Sequence, residues 1–127
     1  MVLGAVVLDS GNSEELSDFY QKLLGWKTKY GQGTEWIVLK SDTGEGLPLI
    51  FQEIDCYQRP VWPARPDAQQ QMTHLDFYTE DVEASVAHAL ACGAVLSPVQ
   101  PPDDWQVLLD PAGHPFCILP THPPVQA

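Results

Sequence analysis

His74 and Asp76 stand two residues apart in the run Thr73-His74-Leu75-Asp76-Phe77-Tyr78. Side chains on a strand alternate faces, so His74, Asp76 and Tyr78 share one face if this run is extended. An imidazole beside a carboxylate can ligate a metal, move a proton near neutral pH, hold a polar ligand, or be satisfied as ordinary scaffold. The pair alone leaves all four open. Cys117, between Phe116 and Ile118, has no lysine, arginine or evident helix N-terminus near it to lower its pKa, so it reads as a core thiol. Aromatic residues are the other material for a site. Trp36 and Trp105 fall in strand-like runs, and Trp62 lies with Tyr57 in a proline-rich stretch that is hard to bury in a sheet core. Such rings form surfaces suited to flat or cationic molecules. His88, His114 and His122 fall on a helix, in a turn and in the tail, and carry no functional expectation.

The elements that must position these residues follow from pattern. Residues 3–8 form a continuous apolar run, the signature of a strand buried on both faces. Asn12 with Glu15 has the form of a capping box, opening a helix whose apolar face is Leu16, Phe19, Tyr20, Leu23 and Leu24 and which ends at Gly25. Strands are expected over 26–30, 35–41 and 47–54, with glycine-rich turns between them. Arg59-Pro60-Val61-Trp62-Pro63-Ala64-Arg65-Pro66 excludes regular structure and predicts an extended, fairly stiff connector. A strand from Thr73, a helix with Val82, Val86, Ala89 and Leu90 closed by Gly93, and strands over 94–96, 105–109 and 115–119 complete the chain; the tail beyond is expected to be loosely held.

The two halves repeat. Gly25 and Gly93 both end a helix, and Asp42 and Asp110 both open a turn, each pair separated by the same interval. Each half reads strand, helix, strand, strand, strand. One such unit would leave a sheet face bare, so the expected fold is α+β, two tandem βαβββ modules forming a curved mixed sheet around a cavity. Within a single domain of 127 residues, module one takes 1–55, the connector 56–71, module two 72–120 and the tail 121–127.

Composition narrows the partners. Six basic against 17 acidic residues give a net charge of −11, which repels phosphate backbones and argues against nucleic acid. No run of about 18 apolar residues suggests a membrane span, and the N-terminus lacks the pattern of a secretory signal, so a cytoplasmic protein is expected. Cys56, Cys92 and Cys117 are odd in number and widely spaced, which fits reduced thiols.

The helix ending Leu23-Leu24-Gly25-Trp26, the run His74-Leu75-Asp76-Phe77 and the segment Asp110-Pro111-Ala112-Gly113-His114-Pro115-Phe116-Cys117 together resemble the vicinal oxygen chelate superfamily. This is the group of glyoxalase I, bleomycin-resistance proteins, extradiol dioxygenases and fosfomycin-resistance enzymes; the chain is most similar to its small bacterial glyoxalase-like members. The resemblance implies a divalent metal held by ligands on the first and last strands of the two modules. His74 occupies one such position, Cys117 stands where a glutamate is expected, the corresponding face in module one carries Ile50 and Gln52, and residues 1–8 offer no donor. The set falls short of three good ligands. The resemblance also implies a homodimer and a connector that brings Trp62 near the cavity mouth. The expectation is a protein that binds a small organic molecule in an aromatic-lined cavity through His74, Asp76, Gln52, Trp62, Trp36, Trp105 and Cys117, without the usual metal. The competing expectation is a metal-dependent lyase, isomerase or dioxygenase that uses His74 with zinc, iron, nickel or manganese.

Overall fold

Asn12 fixes where the first helix begins: its Oδ1 accepts from the Glu15 N–H at 3.0 Å, satisfying one of the donors a helix start leaves unpaired. In the computed structural model, which describes residues 1–102 and 104–121, module one runs β1 (Val6–Ser10), α1 (Ser13–Leu24), β2 (Thr28–Tyr30), β3 (Trp36–Lys40) and β4 (Leu49–Glu53). Module two runs β5 (Leu75–Thr79), α2 (Val82–Cys92), β6 (Val95–Leu96), β7 (Gln106–Leu109) and β8 (Pro115–Pro120). The α+β class and the repeated βαβββ order are as the sequence suggests.

Each module carries its own four-stranded sheet, ordered β1-β4-β3-β2 and β5-β8-β7-β6. The chain divides accordingly into two compact units, Met1–Gln58 and Arg59–Ala127. In both sheets the first and last strands of the module pair in parallel, with Val7 opposite Ile50 and Asp76 opposite Cys117, and the remaining pairs are antiparallel.

The core of module one is α1 against one sheet face. Leu16, Phe19 and Tyr20 are buried with Leu8, Ile37, Leu39, Leu49 and Phe51, and the Tyr20 and Phe51 rings stack at 5.7 Å. Burying each such side chain contributes about 2 kcal/mol. The capping box is only half made by its own residues. The Asn12 N–H donates to Ser10 Oγ, and Glu53 Oε1 accepts from the Ser13 N–H, so a carboxylate from β4 ties the helix start to the sheet. At the other end Gly25, at φ 70°, donates its N–H to the Gln21 carbonyl.

Four expectations need correction. β1 is not a two-sided buried strand over 3–8: it spans Val6–Ser10, buries Leu8 and Ser10, and leaves Val7 43% exposed. Because the turn is made by Ser10 and Asn12, Asp9 lies on the strand and pairs in register with Gln52. β5 begins at Leu75, so Thr73 and His74 precede it. The connector is no extended spacer: the Val61 N–H donates to the Gln69 carbonyl and Val61 bridges to Gln70. Prolines at 60, 63 and 66 leave the Val61 N–H free to close that loop. Finally, Leu90 does not join the buried face of α2; it is 42% exposed, and Ala89 alone among the helix's residues is buried. The Pro120 end of the chain is held, with the Thr121 N–H donating to the Thr79 carbonyl, whereas His122 and the rest of the tail lie outside the described residues.

Candidate functional site in module two

The register Asp76↔Cys117 puts a carboxylate from β5 beside a thiol from β8, and His74, just ahead of β5, brings its ring to the same carboxylate. His74 Nε2 lies 3.2 Å from Asp76 Oδ1, and the two side chains are 42% and 41% exposed. Cys117 is buried. One ligand atom from each of the three residues lies within 4.8 Å of the others. The Trp62 ring, brought over by the closed connector loop, stands 6.3 Å from the His74 ring at an interplanar angle of 49°.

Burial, then the negative charge of Asp76, then a hydrogen bond to it push the Cys117 thiol from its ordinary 9.0 up to about 12. The thiol therefore stays protonated at neutral pH and is a poor nucleophile, consistent with a core thiol. Imidazole, carboxylate and thiolate are donor types a zinc-class cation accepts, and three protein ligands with one open position is the form of a catalytic zinc site. The donor set fits such an ion by type, but loading would have to release the tightly held Cys117 proton.

Of the other expected site residues, Trp36 and Gln52 belong to module one and Trp105 to module two. Trp36 and Gln52 are cross-strand partners on β3 and β4 of module one, and Trp36 is 47% exposed. Trp105 precedes β7, with β8 between that strand and β5. In module one the positions corresponding to Asp76 and Cys117 in the parallel register hold Val7 and Ile50, which offer no donor. Asp9, beside Gln52, is the polar strand residue that sequence reasoning missed, because the apolar run that marks the strand stops at Leu8. Arg59 was also missed, and its role is local: Nη1 donates to the Pro111 carbonyl at 2.6 Å, bracing the turn that Asp110 caps through the Ala112 and His114 N–H groups.

A family profile described as a glyoxalase-like domain matches residues 5–119. The chain belongs to this glyoxalase-like family. It is thereby a member of the vicinal oxygen chelate superfamily, and solved structures agree in fold. The fosfomycin resistance protein FosX from Listeria monocytogenes superposes with a TM-score of 0.67 at 15% identity, covering 94% of this chain and 93% of that one. A glyoxalase/bleomycin resistance protein/dioxygenase family enzyme from Burkholderia phytofirmans PsJN gives 0.68 at 21% identity, covering 94% and 98%. A glyoxalase/bleomycin resistance protein from Albidiferax ferrireducens T118 gives 0.64 at 17%, covering 95% and 98%. A search of curated proteins returned no match. At these identities the likeness concerns the fold.

Proposed function

We propose that this glyoxalase-like protein binds a small organic molecule on the His74–Asp76 face of module two, with Trp62 as its aromatic wall, and without the superfamily's two-module metal centre. The observation that carries this reading is the His74–Asp76 couple, 3.2 Å apart and two-fifths exposed, beside the Trp62 ring. Polar groups left accessible next to an aromatic surface are the ingredients of a small-molecule site. Val7 and Ile50, the module-one positions that match Asp76 and Cys117, offer no donor, which supports the metal-free part. The net charge of −11 favours a cationic ligand over an anionic one. Thermal-shift and fluorescence titration against aromatic and cationic compounds test it. Binding should weaken at least about tenfold in Trp62→Ala and in His74→Ala, and a panel that gives no Trp62-dependent response counts against the proposal.

A second reading is favoured by the proximity of the three donors: an enzyme of the lyase, isomerase or dioxygenase type. In it His74 Nε2, the Asp76 carboxylate and Cys117 Sγ would hold a divalent cation such as zinc, iron, nickel or manganese. The cation would supply Lewis-acid stabilisation of developing oxyanion charge, while Trp62 would orient the substrate. One FosX structure is described as complexed with Mn(II) and 1S,2S-dihydroxypropylphosphonic acid. Elemental analysis separates the readings: stoichiometric metal that is lost in His74→Ala overturns the first. A homodimer and a cytoplasmic location complete the proposal, and sedimentation velocity and cell fractionation check them.

A further inference from the structure

Both neighbours of the Asp76 carboxylate can give it a hydrogen. His74 Nε2 faces Asp76 Oδ1 at 3.2 Å, and the Cys117 thiol stands opposite Asp76 in register, the ligand atoms of the three side chains lying within 4.8 Å of one another. A carboxylate near neutral pH accepts only. An imidazole with one proton must then carry it on Nε2, which leaves Nδ1 as a bare acceptor. We infer that the module-two site is selective for hydrogen-bond donors: it takes flat or aromatic molecules that present a hydroxyl, N–H or ammonium group to His74 Nδ1, with Asp76 and Cys117 as positioning residues that fix the tautomer. The inference rests on the proposed ligand-binding function and adds the chemical class of the ligand.

Three further observations support it. His74 is exposed enough to be reached. The Trp62 ring, 6.3 Å from the imidazole, offers a π face to a flat or cationic molecule carrying the donor. The buried Cys117 side chain stands opposite Asp76 in the β5–β8 ladder, so the carboxylate is flanked on its other side by a group with a hydrogen to give. An acceptor-only ligand would set two lone pairs against each other at Nδ1, and a desolvated polar group without a partner is the strongest basis for discrimination in a small site.

The test uses the full chain at about pH 8, where a free imidazole is mostly neutral. Two matched pairs of probes are titrated by ligand-observed NMR: phenol against anisole, and benzylamine against benzoate. The His74 tautomer is read from nitrogen-15 chemical shifts, assigned by difference with His74→Ala. The expected result is hydrogen on Nε2, and phenol and benzylamine binding at least about tenfold more tightly than their partners. In Asp76→Asn, whose amide can turn an N–H toward Nε2, the tautomer should shift toward hydrogen on Nδ1 and the preference should fall below about twofold. Unchanged circular dichroism and melting temperature would show that the fold is kept. Hydrogen on Nδ1 in the native protein, or equal binding within each pair, overturns the inference while leaving the proposed function standing. Absence of Trp62-dependent binding by all four probes removes both. A stoichiometric cation on His74 Nε2 also overturns it, because that nitrogen would then carry no hydrogen.

Discussion

Cys117 is the residue whose chemistry is most altered by where the chain puts it. Its thiol is raised to about 12 by burial first and by Asp76 second, whereas Cys56 is exposed and Cys92 half-buried. Labelling native protein with a thiol reagent near pH 8 should therefore modify Cys56 readily and leave Cys117 untouched until the protein unfolds; mass spectrometry of labelled peptides checks this. The same shift sets a pH dependence. The unfolded thiol gives up its proton near 9.0 and the folded one near 12, so this group's contribution is intact below about pH 9 and lost progressively as pH climbs towards 12. The slope is at most about 1.4 kcal/mol per pH unit. Urea melts of Cys117→Ala should show a shallower alkaline loss than the native chain. At this scale the sequence was informative about His74 and Asp76, since a two-residue spacing in extended chain brings the pair together although β5 begins only at Leu75. It was silent about the Asp76–Cys117 partnership, because register between two strands is a tertiary property that no local spacing encodes.

The two helices look alike in the sequence pattern and differ in what they bury. α1 covers Leu16, Phe19 and Tyr20, while α2 fully covers only Ala89 and leaves Leu90 exposed. Leu16→Ala should cost about 3 kcal/mol through lost burial and a cavity, and Leu90→Ala less than about 0.5 kcal/mol; chemical denaturation of the two variants measures both. Hydrogen exchange should likewise open α2 before α1. The start of α1 and the ends of both helices were readable because Asn12, Gly25 and Gly93 act locally, each at the cap position it occupies; Asp81, the N-cap of α2, went unread. β1 was misplaced for the opposite reason. Residues 3–5 are as apolar as a strand, but they gain no partner: the ladder with β4 begins at Val6 opposite Leu49 and continues to Ser10 opposite Glu53. Pairing, which the apolar run does not specify, overrode local hydrophobicity.

For the whole molecule, the duplication was legible because turn glycines and aspartates recur at a fixed interval, and the profile match over residues 5–119 covers both copies. The function was less legible, since a fold that hosts many chemistries leaves the decision to a few side chains. The acidic excess has a bulk consequence: with a net charge of −11, self-repulsion should weaken the folded state at low salt. Raising ionic strength from about 0.01 M to about 0.15 M shortens the screening length from roughly 30 Å to about 8 Å, and the melting temperature should rise by a few degrees, as a calorimetric salt series would show. The parallel pairing of each module's first strand with its last has a consequence in time. β1 finds β4, and β5 finds β8, only after nearly all of the module between them exists. Neither half-sheet can therefore close while its own chain is still being made, and closure of so distant a pair is intrinsically slow. The first module, synthesised earlier, can complete its ladder while the second is still emerging. The order of manufacture thus lets the copy without the His74 site fold first, before the copy that carries it.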